Sequence, residues 1–285
     1  MNKLFLTILL LSFNCMANAQ IKAPYAIYNA KGKKVSYSKM MKQLQAKDIV
    51  LFGELHNNAI AHWLQLELCK ELQQTRSLIL GAEMIEADNQ SALNRYLADS
   101  INQKQFDTTA RLWNNYPTDY KPLVDFAKEN HLPFIATNIP RRYASMVFKQ
   151  GLQKLDSLPA ADKHWIAPLP MEYDSTLSQY MNMMSMMGGH GGSSNMPKSQ
   201  AIKDATMAHF ILQHYQPSSL FLHFNGSYHS EYYQGILWYL RRKQPLLKYG
   251  TITTVVQKDI DTLETENVGK ADFIICVDED VTNTF

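Results

Sequence analysis

The sequence is short of several features that would point directly to a function. It holds three cysteines in 285 residues and no C-x-x-C pair. That removes a thiol-redox motif and a zinc ribbon. Charge is nearly balanced, with 28 Lys and Arg against 26 Asp and Glu, a formal net of +2. Nothing in that balance points to nucleic acid or an anionic membrane as partner. No Gly-x-Ser-x-Gly elbow and no glycine-rich phosphate loop occur, so serine-hydrolase and nucleotide-binding readings have no support. There is no internal repeat. The N-terminal apolar run, Leu4 to Leu11, is too short to span a bilayer comfortably.

That run fits an export signal instead. Lys3 precedes it, and Ala17-Asn18-Ala19 follows before Gln20. A charged start, an apolar core and an A-x-A site predict a signal peptide over residues 1–19. Cleavage after Ala19 and export as a soluble protein are expected. Cys15 suggests a lipid anchor, but Ser12-Phe13-Asn14 lacks the small residue expected just before a lipidated cysteine. The remaining 285 − 19 = 266 residues suffice for one large domain. Cys69 lies on a helical pattern and Cys276 in an apolar strand-like run. Both read as small buried hydrophobes, with a disulfide left open by spacing.

What the chain does have is organised around Ile49-Val50-Leu51-Phe52-Gly53-Glu54-Leu55-His56. A continuous apolar run reads as a strand buried on both faces. Residues two apart on a strand point the same way, so Glu54 and His56 should project together. Similar runs follow at 78–82, 133–137, 219–224, 249–256 and 272–277, with helical patterns between them. Alternating strands and helices predict an α/β fold, a mostly parallel sheet flanked by helices. The pattern breaks between about 155 and 200, which reads as an inserted helical subdomain within one domain over 20–285.

Four strand-like runs end in polar groups. These are Glu54 and His56, then Glu83, then Asn138, then His223 with Asn225 and His229. In a parallel sheet these ends share the edge where ligands bind. Carboxylates and imidazoles gathered there suit general acid–base work, with Glu54, His56, Glu83 and His229 as catalytic candidates. They also suit a divalent metal such as Mn, Co or Zn, with Glu54, His56, Glu83, His223 and His229 as ligands. Arg141 and Arg142, opening a helix after Asn138, would hold an anion. The plainer reading is that each is a structural polar residue, Glu54 capping a helix and His223 a bonded core histidine.

Gly53-Glu54-Leu55-His56, Gly81-Ala82-Glu83-Met84, Asn138-Ile139-Pro140-Arg141, Asp204-Ala205-Thr206-Met207-Ala208 and Phe224-Asn225-Gly226-Ser227-Tyr228-His229 occur in this order. Together they resemble the ChaN family of haem-binding, iron-regulated proteins. That family belongs to the Tiki superfamily, related to erythromycin-esterase-like and TraB-like proteins. The resemblance covers roughly residues 45–245. It implies a protein of the periplasm or the periphery of the outer membrane that binds haem for iron uptake, a homodimer holding two stacked haems, tyrosine as iron ligand, and an outer-membrane transport system as partner. In Tiki-like relatives it also implies metal-dependent hydrolysis at the cluster containing Glu54, His56 and His229.

The insertion offers the haem candidates. Tyr173 and Tyr180 would ligate iron, His190 would ligate it or meet a propionate, and Lys198 would pair with a propionate. Five of the 14 methionines fall within residues 181–187, and Met184 among them would line an apolar wall. Closely spaced methionines followed by His190 also suit Cu(I), which makes a copper-binding protein a further alternative. The plain reading of the methionines is a helix packed on the sheet.

Overall fold

A computed structural model describes residues 22–186 and 194–285; the expected signal peptide and His190 lie outside the described residues. The strands run in chain order β1 (Tyr25–Asn29), β2 (Ile49–Glu54), β3 (Ser77–Glu86), β4 (Phe134–Asn138), β5 (Ser219–Gly226), β6 (Tyr249–Gln257) and β7 (Phe273–Asp278). Between them lie α1 (Tyr37–Leu44), α2 (Ala59–Gln73), α3 (Gln90–Leu97), α4 (Gln103–Thr109), α5 (Lys121–Glu129), α6 (Arg141–Gln150), α7 (Ala160–Lys163), α8 (Ser178–Met186), α9 (Met196–His214) and α10 (Ile236–Lys243). The seven strands form one sheet in the order β1-β7-β6-β2-β5-β3-β4. Only β1 is antiparallel to its neighbour. The fold is therefore the expected α/β sheet flanked by helices.

The two faces of the sheet follow from strand parity. Val50 and Phe52 of β2 pack with Leu64, Leu68 and Leu72 of α2 and with Leu123 and Val124 of α5. Ile49 and Leu51 face the other way, against Ile202 and Ile211 of α9 and Leu237 and Leu240 of α10. Both faces of β2 are thus covered, which is why its sequence is continuously apolar rather than alternating. Truncating one such fully buried residue, for example Leu51→Ala, costs about 2–5 kcal/mol. Asn58 ends the turn after β2 and caps α2 by accepting from the Ala61 amide at 2.9 Å. Cys69 and Cys276 are both buried and free. Cys69 packs among the apolar residues under α2 and Cys276 in a small cluster with Tyr28 and Ile274.

The break in pattern between about 155 and 200 corresponds, among the described residues, to short α7, an irregular stretch, and α8 lying against α9. Among the described residues, no helix is long and apolar enough to cross a membrane.

Candidate functional site

The carboxyl ends of β2, β3, β4 and β5 open into a cleft of about 890 Å³. Its walls include Glu54, His56, Glu83, Trp113, Asn138, Arg141, Lys203, Gly226 and His229. Two carboxylate–imidazole pairs stand in it, and parity brings them from opposite faces of the sheet. Glu54 follows Val50 and Phe52 toward the α2 layer. Glu83 follows Ile79 toward the α9 layer. They meet only because both strands end here, with β5 between them.

The first pair is Glu54 and His56. His56 Nδ1 lies 2.9 Å from Glu54 Oε1, which also accepts from the Tyr120 hydroxyl at 2.7 Å. Gln65 Nε2 donates to the other oxygen, Glu54 Oε2, at 2.5 Å. Glu54 is fully buried while the His56 side chain is 43% exposed. Burial alone would lower the pKa of His56, but its hydrogen bond to Glu54 and the charges of Glu83 and Glu54 outweigh it and raise it. Tyr120 comes from a single π-helical turn, Tyr116–Tyr120, and burial beside Glu54 pushes its phenol well up, so it stays protonated and donates. Trp113 meets the His56 ring edge-on at 4.9 Å.

The second pair is a chain of three groups. His229, in the short turn Ser227–His229, sits between two carboxylates. Its Nε2 is 3.1 Å from Glu83 Oε1 and its Nδ1 is 2.5 Å from Asp204 Oδ1. Desolvation would lower the pKa of His229, yet the charges of Glu83 and Asp204 carry it up to about 9. It is therefore an imidazolium at neutral pH. The same attraction overcomes burial at Glu83 and lowers its pKa. At Asp204 burial prevails and the pKa is raised. Glu83 Oε2 accepts the Gly226 amide at 2.8 Å.

Gly226 is required by this packing. A Cβ there would lie 2.8 Å from His56 Cε1, 2.9 Å from His56 Nε2 and 3.6 Å from Glu83 Oε2. The two pairs thus flank one backbone position.

Among the described histidines of this region, His56 alone keeps a nitrogen open to the cleft. His229 uses both nitrogens. His62 meets Gln65 Oε1 at 3.3 Å and the His56 carbonyl at 3.2 Å. His223 does not reach the cleft at all, which corrects its expected place in the site. It lies two residues short of the strand end, its Nε2 2.7 Å from Thr137 Oγ1 and its Nδ1 3.1 Å from Asn225 Oδ1. Burial lowers its pKa to about 4, so it is neutral. Asn225 is likewise internal, donating to Ser230 Oγ at 3.0 Å.

The expected divalent-metal site at Glu54, His56, Glu83, His223 and His229 is not assembled. Among the described residues, no group of three or more His, Cys, Asp or Glu is arranged to hold a metal ion. The reason is local. Glu54 and Glu83 spend their oxygens on protein donors, His229 is enclosed, and His223 faces the interior.

The insertion's candidates separate from one another. Tyr180 is buried, and its hydroxyl donates to Asp204 Oδ2 at 2.8 Å, so it braces the His229 chain. Tyr173 is half-buried, with its ring 5.8 Å from that of Tyr180. Burial raises its pKa, and its hydroxyl has no hydrogen-bond partner among the described residues. Met181 and Met184 are 54% and 47% exposed, while Met183 is buried and lines the cleft. Among the described residues, Met183 therefore faces inward while Met181 and Met184 face outward, so these three do not converge on one point. Lys198 Nζ donates to Asn195 Oδ1 at 3.0 Å.

Tyr120, Gln65, His62 and Lys203 escaped the sequence reading, and Asp204 entered it only within a motif, with no role in the site. Asp204 carried a signal, being an acid set among Ala201, Ile202, Ala205 and Met207 in a helix that must be buried on that side.

A model of the family described as haem-binding uptake, Tiki superfamily, ChaN matches residues 40–240. The chain belongs to the ChaN family. Among solved structures, a ChaN of Campylobacter jejuni, described by its cofacial haem binding, aligns with TM-score 0.65 and 17% identity over 88% of this chain and 96% of that one. An erythromycin esterase in its open conformation aligns with TM-score 0.53 and 12% identity over 91% and 100%. A succinoglycan biosynthesis protein gives 0.52 and 10% over 90% and 94%. At these identities the likeness shows the fold that this ChaN-family chain shares with them. No curated protein matches the chain.

Proposed function

We propose that this protein binds haem as cargo in an uptake system and does so after export from the cytoplasm. The match of residues 40–240 to the haem-binding uptake family carries the reading. The donor set fits. Tyr173 has an uncommitted phenol, suited to a ferric ligand once deprotonated. Met181 and Met184, three apart on α8, expose apolar surface on the helix that carries Tyr180, whose ring lies 5.8 Å from that of Tyr173. Tyr180 is a brace for Asp204 under this reading and Tyr173 is the ligand. A second copy of the chain and an outer-membrane transport system are its partners. The test is a haemin titration followed by absorbance. Wild type should give a saturable Soret shift at micromolar haemin, lost in Tyr173→Phe and kept in Met183→Leu. An unsaturable spectrum in the wild type removes the reading.

A second reading rests on the cleft: hydrolysis of an ester or amide by general base catalysis. His56 supports it, because Glu54 fixes Nδ1 and leaves Nε2 free toward the cleft. Its Nε2 would accept a proton from water as the water oxygen bonds to the acyl carbon. The carbon–leaving-group bond then breaks, and the proton passes to the leaving group. The His229 imidazolium, pinned between Glu83 and Asp204, supplies fixed positive charge. Turnover of p-nitrophenyl acetate that falls at least a hundredfold in His56→Ala would support this; unchanged turnover would end it.

A further inference from the structure

Most charged groups at the cleft are already matched. Glu54 is held by Tyr120, Gln65 and His56, and Glu83 by His229 and the Gly226 amide. At the rim Arg111 pairs with Glu86 and Asp88, and Arg142 pairs with Asp88 while stacking on Tyr143. Two cations are left over. Arg141 and Lys203 line the cleft, and among the described residues neither has a side-chain hydrogen bond or ion pair. Lys203 is near enough to lower the pKa of Glu83, but it is not bonded to it.

A third group is unspent beside them. Asn138, at the end of β4, is only 8% exposed, lines the cleft, and its Oδ1 has no partner. A buried amide that leaves an atom without a partner is not fully used by the fold. That oxygen is shut off from solvent, whereas the NH₂ of the same amide is not, and it is the NH₂ that can donate into the cleft. Just beyond it, α6 starts at Arg141 behind Pro140 with no side-chain cap. Its first amides therefore add positive potential to the same corner.

We propose that Arg141, Lys203 and Asn138 form an oxyanion subsite, and that the molecule occupying this cleft carries a carboxylate or phosphate group. The subsite sits beside His56 and His229 rather than on them. It holds one end of the molecule while the other reaches toward the open Nε2 of His56. The inference requires the cleft to bind a ligand, as in the hydrolytic reading, but does not require turnover.

The probes are inorganic phosphate and acetate, titrated calorimetrically at constant ionic strength into the full chain. Wild type should bind one of them saturably, and which one binds distinguishes the two oxyanions. Arg141→Gln and Lys203→Gln should each weaken binding roughly tenfold, the loss of one charged hydrogen bond. Arg142→Gln, an adjacent but committed cation, should not. Glu54→Gln should abolish any hydrolysis without weakening phosphate binding, which keeps failure of catalysis distinct from failure of the subsite. Circular dichroism confirms that each variant folds. Absence of saturation by both anions, or equal loss in Arg142→Gln and Arg141→Gln, overturns the proposal.

Discussion

Replacing Asp204 by Asn tests the charge state on which the second pair depends. Asp204 holds His229 Nδ1 at 2.5 Å and accepts the Tyr180 hydroxyl at 2.8 Å. Asn keeps the shape and an acceptor oxygen but removes the charge. The His229 imidazolium then has Glu83 alone as counter-charge, at 3.1 Å. In the wild type His229 titrates at about 9 rather than its ordinary 6.5. A base raised by folding stabilises fully below its unfolded pKa, and that contribution is lost as pH rises through its folded one. The window is therefore from 6.5 to about 9. At about 1.4 kcal/mol per pH unit, His229 contributes at most roughly 3 kcal/mol. Asp204 works against part of this, because burial raises its own pKa and makes its ionised form costly. The net fall across the window should be on the order of 2 kcal/mol. Asp204→Asn should flatten that slope to about half and lower stability at neutral pH by about 1.5–3 kcal/mol, the loss of a charged hydrogen bond between buried groups. Urea unfolding at half-unit pH steps measures both. Histidine NMR gives the His229 midpoint directly. A wild type with flat stability across the window, or a variant with the same slope, refutes the charge assignment.

Three other outcomes are expected. Gly235→Ala should destabilise the fold by more than about 3 kcal/mol, seen as a lowered unfolding midpoint. Gly235 has φ +55°, and a Cβ there would fall 2.2 Å from the His229 carbonyl oxygen. Gly226→Ala should leave the fold intact but displace His56, so that p-nitrophenyl acetate turnover drops tenfold or more while the unfolding midpoint moves little; unchanged turnover would show that His56 has no part in it. Tyr180→Phe removes the hydroxyl from Asp204 and should cost about 1 kcal/mol in urea unfolding while leaving the haemin spectrum unchanged; a lost Soret shift there would move the ligand role from Tyr173 to Tyr180.

Much of the fold was legible because buried parallel strands leave a continuous apolar run, as in Ile49-Val50-Leu51-Phe52. The Glu54–His56 contact was legible for a similar reason, since strand parity needs only two residues. What lay beyond one strand was harder. Parity cannot say whether Glu83 and Glu54 lie on the same face of the sheet, because β5 separates the two strands and comes from far along the chain. His223 was misplaced by the same limit. It belongs to a polar-ended strand, but only the paired register shows that the strand runs on to Gly226. The partners on helices were invisible for another reason. Gln65 looks like an ordinary polar position until its helix is docked, and the apolar neighbours of Asp204 show that it is buried without showing that its partner is His229.

The place of β5 has a consequence for how the molecule forms. β2 and β3 follow one another in the chain, yet neither pairs with the other; β5 is inserted between them after some 130 further residues. Until it arrives, Glu54 has no Gly226 opposite it and Glu83 has no backbone amide and no His229. Two buried carboxylates then wait at the end of an incomplete sheet. Closing such long-range parallel pairings is the slow part of folding for this kind of topology. Sheet completion and site assembly are thus one event. Refolding followed by tryptophan emission from Trp113, whose ring borders His56, should report the same late phase as recovery of ligand binding.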